Sequence, residues 1–170
     1  RPKEEVDELM KLMLDYLKNA EKETSDKDIR VRIIGDREGL SQEIREHIQK
    51  IEKRTENKKK MTMVIALNYG GRQDILQAAS KIADDAAKGI LKPSEITVEE
   101  MSKRLYTYDI PDPDLLIRTS GELRISNFLI WQCSYSEFYF SNVLWPDFKE
   151  KHLLEAIADY QRRSRRFGGL

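Results

Sequence analysis

Residues 114–127 read DLLIRTSGELRISN and place two arginines, three hydroxyl side chains and one glycine directly after a short apolar strand. The apolar run 125–132 predicts a helix that begins at this loop. Parallel α/β sheets bind ligands beyond the carboxyl ends of their strands, and a helix that starts there offers free N–H groups to an anion. Arg118 and Arg124 would add paired phosphate contacts that lysine cannot match geometrically. The stretch therefore predicts an α/β fold with an anion-binding loop.

A plainer interpretation of the same stretch is an ordinary surface loop. In that case Arg118 and Arg124 pair with the neighbouring acids Glu122 and Asp114. The P-loop signature Gly-x-x-x-x-Gly-Lys-Ser/Thr does not occur in the sequence, so that type of nucleotide site is not indicated. The pattern indicates a phosphate group without identifying the ester that carries it.

Apolar periodicity divides the rest of the chain into alternating strands and helices. Strands are predicted at 29–35, 61–67, 115–117 and 137–140. Helices are predicted at 2–23, from Ser41 past Ile51, from Arg72 to Ala83, and at 97–105, 125–132 and 147–166. This alternation predicts a parallel central sheet flanked by helices on both faces.

Local signals refine three of these elements. Ser41 is predicted to be a helix N-cap, and Thr97 with Glu100 has the capping-box spacing. The nearly continuous apolar strand 61–67 is typical of a strand buried on both faces. The helix after Gly70 and Gly71 is predicted to bury one apolar side, formed by Ile75, Leu76, Ala79, Ile82 and Ala83. The two glycines indicate either a second anion contact or close packing of strand and helix.

Composition limits the classes of function. The 170 residues carry 30 basic and 30 acidic side chains, so no overall positive field attracts nucleic acid, and none is expected as a partner. The single cysteine, Cys133, excludes an internal disulfide and predicts a small core residue in a cytoplasmic protein. No apolar run reaches the roughly 20 residues that span a bilayer, so any membrane contact is expected to be peripheral.

Other polar and aromatic residues have two interpretations each. Glu137 and the acids at other element ends are candidate Mg²⁺ ligands or surface charges: Asp112, Asp114, Glu122 and Asp147. His47 and His152 lack metal-ligand spacing and are predicted to be structural. The aromatic residues between positions 131 and 145 favour a core or a subunit interface over a nucleic-acid-binding surface. The arginines at 162–166 either complement a helix dipole or reach an anionic site or surface.

Several segments together resemble the cis-prenyltransferase family of the undecaprenyl pyrophosphate synthase type. They occur in the family's order at 34–36, 68–72, 118–132, 135–140, 144–148 and 165–169. The resemblance runs from Arg1 to the end of the chain and implies the cis-prenyltransferase fold.

The resemblance implies successive condensation of isopentenyl pyrophosphate onto an allylic pyrophosphate such as farnesyl pyrophosphate. The product would be a long cis-polyprenyl pyrophosphate carrier lipid. By position, Arg118, Arg124 and Ser126 match the family's isopentenyl pyrophosphate binders, and Glu137 matches a Mg²⁺-linked glutamate. Arg1 matches a family arginine that is near the same substrate. A homodimer and transient contact with a membrane surface for product release are also implied.

Three family segments are missing from the sequence. The Asp-Gly-Asn-Gly-Arg-Trp segment, whose aspartate assists substrate ionisation in the family, has no counterpart here, and neither do the His-x-x-Gly region and the Ser-x-Glu-Asn-Trp segment that follow it. We therefore expect residues 1–170 to form the C-terminal portion of a single cis-prenyltransferase domain that is N-terminally incomplete. Such a chain would hold the isopentenyl pyrophosphate half of the site, contain no catalytic residue, and be inactive alone. The alternative is a non-catalytic subunit of a heteromeric cis-prenyltransferase.

Overall fold

The computed structural model describes residues 3–23 and 27–164 and divides the chain into two compact units, 1–69 and 70–170. The first unit contains helix α1 (Lys3–Glu23), strand β1 (Ile29–Ile34), helix α2 (Gln42–Thr55) and strand β2 (Met61–Ala66). β1 and β2 pair in parallel, from Ile29 opposite Met61 to Ile34 opposite Ala66. The predicted parallel α/β arrangement is confirmed in this unit.

The core of the first unit forms where α2 covers β1. Ile44, Ile48 and Ile51 repeat at helical spacing and are buried against Val31 and Ile33 of the strand. Ser41 is the N-cap of α2, as predicted, because its hydroxyl oxygen accepts a hydrogen bond from the Ile44 backbone N–H at 3.4 Å.

The free edge of β1 is covered by side chains of the same unit. The backbone N–H groups of Val31 and Ile33 donate to Thr55 Oγ1 at 3.0 Å and to Glu52 Oε1 at 2.9 Å. Arg37 Nη2 donates to the Ile33 carbonyl at 2.9 Å. Buried backbone groups need such partners, and an uncovered edge invites pairing with another chain, so these bonds end the sheet at β1.

Strand β2 is less buried than its sequence predicts. Met61 is half exposed, Met63 to Ile65 are half-buried, and only Leu67, just past the strand, is buried. The prediction that β2 is buried on both faces is therefore wrong for the described residues. An apolar composition shows that a strand can be buried, but it does not show which elements would bury it. Among the α1 residues, Met10, Met13 and Leu14 pack against the core of this unit.

The second unit contains helices α3 (Gly71–Ala87) and α4 (Val98–Ser102), strands β3 (Leu115–Arg118) and β4 (Glu137–Phe140), and helix α5 (Glu150–Arg162). β3 and β4 pair in parallel, with Leu115 opposite Glu137 and Arg118 opposite Phe140. Thr97 caps α4 through a 3.2 Å hydrogen bond from the Glu100 N–H, as the capping spacing predicts.

Helix α3 buries only part of the predicted face, since Ile82 is buried as predicted and Ile75 is half-buried. Its buried residues are Gly71, Asp74, Ala78 and Ile82, whereas Leu76, Ala79 and Ala83 are exposed. The buried face of α3 includes Gly71 and Asp74 because both residues contact specific partners in the second unit. Apolar periodicity alone could not identify those partners.

The helix predicted at 125–132 does not form. This segment consists of turns, with positive φ angles of 47° at Ser126, 64° at Asn127 and 47° at Leu129, and a short 3₁₀ helix follows at Gln132–Tyr135. The last helix also starts later than predicted, at Glu150. None of the helices in the described part of the chain has a membrane-spanning length of apolar residues.

Candidate functional site

Arg118 is the last residue of β3 and lies at the carboxyl end of the β3–β4 pair. Its carbonyl oxygen accepts a 2.8 Å hydrogen bond from the Ser141 N–H, which fixes the backbone. The side chain is half-buried, and within residues 3–23 and 27–164 its guanidinium has no hydrogen bond or ion pair. A half-buried arginine without a described partner, at the ligand-binding end of a strand, is suited to an anion.

The segment 119–131, which we call the arginine loop, is anchored beside β4. The N–H of Ser120 donates to the Val143 carbonyl at 2.8 Å, and that of Gly121 donates to the Ser141 carbonyl at 2.9 Å. Ser120 and Gly121 have φ angles of 66° and 69°, so the chain turns sharply as it leaves the strand. The start of the loop is therefore fixed relative to Arg118.

Arg124 lies farther along the arginine loop and is more open to solvent. Its side chain is 65% exposed and forms an ion pair with Glu122. This is the pairing expected for an ordinary surface loop. An exposed ion pair contributes little to stability, so Arg124 can exchange Glu122 for a more highly charged phosphate at small cost. Ser126 is also exposed, and among the described residues its hydroxyl has no hydrogen-bond partner.

Because residues 125–131 form turns, the free N–H groups of a helix that the sequence predicted at this loop are not available to an anion. A helix N-terminus does not begin at the arginine loop, so the loop offers guanidiniums and hydroxyls to an anion, without a helix dipole. The nearest helix start in the second unit, that of α3, is already occupied. The N–H of Gly71 donates to the Asn127 carbonyl at 2.7 Å and that of Arg72 donates to Asn127 Oδ1 at 2.9 Å.

The glycine pair at 70–71 allows close packing. A Cβ added to Gly71 would lie 2.9 Å from Ile130 Cγ1, and one added to Gly70 would lie 2.7 Å from Asn127 Nδ2. Both distances are shorter than ordinary side-chain contacts. The glycine pair thus lets the start of α3 pack closely against residues 127–130 of the arginine loop, and not against a strand as the packing interpretation expected.

Glu137, the residue that the family resemblance links to Mg²⁺, lies far from Arg118. It is opposite Leu115 at the start of β4, three residues before the position that faces Arg118. Three steps of about 3.3 Å separate the two positions by about 10 Å along the strands. Because successive side chains alternate between sheet faces, an odd offset also places them on opposite faces.

The carboxylate of Glu137 is held by Arg163. Arg163 Nη1 donates to Glu137 Oε2 at 2.7 Å, and the same guanidinium donates to Asp159 Oδ2 at 2.6 Å and 3.0 Å. Across the described residues, no group of three or more His, Cys, Asp or Glu side chains could hold a metal ion. In the described structure the Glu137 carboxylate is thus engaged by the Arg163 guanidinium.

The Arg163 contacts predict a specific sensitivity to acid. The hydrogen bond from Arg163 lowers the pKa of Asp159, and hydrogen bonds to Glu137 and Asp159 raise the pKa of Arg163. A depressed carboxylate pKa stabilises the fold above the unfolded value of about 4, and this stabilisation is lost as the pH falls through the folded value. Arg163→Gln should therefore lower the thermal midpoint at pH 7, and its difference from the parent chain should shrink as the pH falls below about 4. A difference that stays constant from pH 7 to pH 2 would contradict this assignment.

A buried polar cluster, which the sequence did not reveal, connects α3 to Gln132, the residue that follows the arginine loop. Asp74 is 1% exposed, and its Oδ1 accepts from the Tyr106 N–H at 2.9 Å and from Gln77 Nε2 at 3.1 Å. Its Oδ2 accepts from Gln132 Nε2 at 3.2 Å, while Gln132 Oε1 is buried without a partner among the described residues. Gln132 ends the apolar run 128–131, and a polar residue in that position was the available signal.

The sequence also singles out a cysteine, a histidine, the chain ends and a group of aromatic side chains. Cys133 is buried, as predicted, and burial raises the pKa of its thiol. His152 is structural, since its Nδ1 accepts from the Lys149 N–H at 2.9 Å. Arg1 and residues 165–170 lie outside the described residues. Among the aromatic residues between 131 and 145, Tyr135 and Trp145 are more than 70% exposed and do not belong to a core of the chain, whereas Trp131, Phe138 and Tyr139 are half-buried.

An open, mainly apolar groove of about 490 Å³ lies beside β3 in the second unit. It is lined by Leu115 and Ile117 of the strand and by Trp145, Phe148, Lys149, Glu150 and Leu153. Leu115 and Ile117 alternate with Arg118, so the groove and the arginine are on opposite faces of the strand. The groove is suited to apolar groups and does not belong to the candidate anion site.

Comparison with known sequences and structures gives consistent results. The prenyltransferase sequence family described as undecaprenyl diphosphate synthase matches residues 1–168. An isoprenyl transferase of Geobacillus kaustophilus is 48% identical over all 170 residues, which cover 66% of that protein. An isoprenyl transferase of Thermotoga maritima is also 48% identical, and the chain covers 72% of it. The chain thus spans about two thirds of the length of these relatives.

Two solved structures share the fold. A lavandulyl diphosphate synthase from Lavandula x intermedia, crystallised with dimethylallyl diphosphate, superposes with a TM-score of 0.95 at 42% identity. The match covers 99% of this chain and 73% of that one. A probable undecaprenyl diphosphate synthase from Campylobacter jejuni superposes with a TM-score of 0.87 at 33% identity, covering 99% of this chain and 77% of that one.

Proposed function

We propose that this chain, which belongs to the undecaprenyl diphosphate synthase family of prenyltransferases, holds the isopentenyl pyrophosphate half of a prenyl-chain-elongating site. In the complete reaction, isopentenyl pyrophosphate would be joined to an allylic pyrophosphate such as farnesyl pyrophosphate, giving a long cis-polyprenyl pyrophosphate. Residues 1–170 would be the C-terminal portion of a single domain. Because the chain spans about two thirds of its relatives, substrates and activity are part of the proposal.

The observation that carries the proposal is the half-buried guanidinium of Arg118, unpaired among the described residues, at the carboxyl end of β3. Arg124 and Ser126 lie in a loop that is anchored to the same strand pair. A diphosphate carries several oxygens that two guanidiniums and a hydroxyl can bind together. These three residues would hold isopentenyl pyrophosphate by its charged end and leave its double bond free to react.

The sequence lacks the family segment suited to the other half of the reaction. Breaking the allylic carbon–oxygen bond releases a pyrophosphate, and an enzyme must stabilise the charge that develops on it. Because the segment that does so in the family has no counterpart here, we assign no catalytic residue. Mg²⁺, when bound, would supply part of that stabilisation. Glu137 remains a proposed Mg²⁺-linked residue, and Arg1 a proposed substrate contact.

The exposed apolar side chains of the second unit support a homodimer as part of the proposal. Trp145 is 72% exposed, Leu144 58% and Leu154 57%, and large exposed apolar groups of this kind are typical of a protein interface. The same surface would serve the alternative function, a non-catalytic subunit that completes a partner's site. A cytoplasmic location and transient contact with a membrane surface for product release complete the proposal.

A filter-binding and product-extraction assay tests the proposed function. The purified chain is mixed with labelled isopentenyl pyrophosphate, farnesyl pyrophosphate and Mg²⁺. We expect labelled substrate to be retained by the protein, to be displaced by excess unlabelled isopentenyl pyrophosphate but not by inorganic phosphate, and no labelled polyprenyl product to form. Absence of retained label would overturn the proposal. Extractable polyprenyl product would overturn the assignment of a half-site while supporting the family's reaction.

A further inference from the structure

The arginine loop is bound to the first turn of α3 by one residue, Asn127. Its carbonyl oxygen accepts from the Gly71 N–H at 2.7 Å, and its Oδ1 accepts from the Arg72 N–H at 2.9 Å. Its Nδ2 donates to Gln73 Oε1 at 3.2 Å. A single asparagine thus contacts three consecutive residues of the helix, although it is 55 positions away from Arg72 in the sequence.

These contacts replace a missing helix cap. The first N–H groups of a helix have no partner within the helix, and a side chain of the N-cap residue usually satisfies one of them. The N-cap of α3 is Gly70, which has no side chain to do so. Asn127 supplies the cap from the arginine loop, so the end of the helix and the course of the loop depend on each other.

The backbone of the loop is strained at this point. Ser126 and Asn127 have φ angles of 47° and 64°, in the left-handed region that is unfavourable for most residues and tolerated best by glycine and asparagine. Such a conformation persists only where surrounding contacts require it. The hydrogen bonds of Asn127 provide that requirement, and Ser126, a proposed diphosphate ligand, is its immediate neighbour.

We infer that Asn127 is a positioning residue for the substrate site: it fixes the arginine loop to α3 and so sets Ser126 and Arg124 before the substrate arrives. This inference rests on the proposed function, since it assumes that these residues bind isopentenyl pyrophosphate. Without the Asn127 contacts the loop would sample other conformations, and binding would have to select the competent one. Apparent affinity falls in proportion to the competent fraction.

Three variants separate the side-chain contact from the backbone requirement. Asn127→Gly keeps the positive φ without strain and keeps the carbonyl that accepts from the Gly71 N–H, but it removes the side-chain bonds to Arg72 and Gln73. Asn127→Asp keeps an oxygen that can accept from the Arg72 N–H. Asn57→Gly, in the turn after α2 of the other unit, controls for the general cost of replacing an exposed asparagine by glycine. Each is titrated with isopentenyl pyrophosphate by calorimetry, and amide hydrogen exchange is measured at Gly71 and Arg72.

The inference predicts that Asn127→Gly binds isopentenyl pyrophosphate about tenfold more weakly, the loss expected for one cap, and exchanges the Gly71 and Arg72 amides faster. Asn57→Gly should match the parent chain in both measurements. Asn127→Asp should keep the Arg72 amide protected, while its added negative charge repels the diphosphate and lowers the affinity. If Asn127→Gly binds more weakly while its Arg72 amide stays protected, Asn127 acts on the diphosphate directly and the positioning role is overturned. Unchanged affinity in Asn127→Gly would overturn it as well.

The amide exchange also separates this inference from the proposed function. If the parent chain binds no isopentenyl pyrophosphate, the proposed function fails, and the cap is then judged by exchange alone. Faster exchange in Asn127→Gly, with protection retained in Asn127→Asp, would still show that Asn127 fixes the loop to α3. Equal exchange in all variants would show that it does not, whatever the affinity.

Discussion

Asp74→Asn is expected to lower the free energy of unfolding by about 2 kcal/mol, the cost of leaving a buried polar group unsatisfied. Asp74 is 1% exposed and accepts hydrogen bonds from Gln77, Tyr106 and Gln132. In the variant, an amide NH₂ would face the NH₂ of Gln132. Rotating the Gln132 amide by 180° would let its oxygen accept from the new amide at position 74. The Gln132 NH₂ would then occupy the buried position of Oε1, which has no described partner, and would stay unsatisfied. Urea unfolding followed by circular dichroism measures the loss.

A reciprocal exchange of the two groups provides the control. In Gln132→Glu alone, two buried carboxylates would face each other, so this variant should be at least as destabilised as Asp74→Asn. When both substitutions are combined, the new amide at position 74 can donate to the new carboxylate at position 132 and still accept from the Tyr106 N–H, so stability should largely return. A coupling free energy of about 2 kcal/mol is expected from the double-mutant cycle. Additive losses would contradict the assignment of a direct Asp74–Gln132 hydrogen bond.

Arg118→Ala is expected to weaken isopentenyl pyrophosphate binding by about a hundredfold, since hydrogen bonds between charged groups contribute up to about 3 kcal/mol. Arg124→Ala should cost about tenfold, because Arg124 must first leave its ion pair with Glu122. Arg118→Lys should lie between Arg118→Ala and the parent chain, since lysine keeps the charge but loses the paired geometry. Calorimetric titration of each variant gives these ratios.

Arg54→Ala is the matched control for these substitutions, because Arg54 is an exposed arginine in the last turn of α2. It should leave the affinity for isopentenyl pyrophosphate unchanged. In a complete enzyme of the family, the Arg118 and Arg124 substitutions should raise KM for isopentenyl pyrophosphate well above that for the allylic substrate. Equal increases for both substrates would contradict the division of the site.

Elements that depend on neighbouring residues could be predicted from the sequence. All four strands of the described part lie close to their predicted bounds, since alternating or continuous apolar runs ended by glycine or proline leave few other conformations. Ser41 and Thr97 cap the helices that their spacing predicts. The parallel pairing of the strands follows from their alternation with helices.

Elements that depend on residues distant in the sequence could not be predicted from it. Residues 125–132 have a helical apolar pattern, yet Asn127 bonds to α3 and holds the chain in turns. Asp74 is an acidic residue in the first turn of α3, and its buried hydrogen bonds involve Gln132 and Tyr106, which lie 58 and 32 positions away. In the candidate site, the sequence identified the residue types that bind an anion but not the contacts that position them. Arg163, which holds Glu137, was seen only as part of a basic tail.

We propose that residues 1–170 hold the isopentenyl pyrophosphate half of the site without the groups that bind the allylic pyrophosphate. Calorimetric titration of the purified chain with each substrate in turn, in the same Mg²⁺-containing buffer, distinguishes the two halves. We expect saturable binding of one isopentenyl pyrophosphate per chain, weakened about a hundredfold in Arg118→Ala, with an affinity at least about tenfold above that for farnesyl pyrophosphate. Equal or tighter binding of farnesyl pyrophosphate that also depends on Arg118 would contradict it.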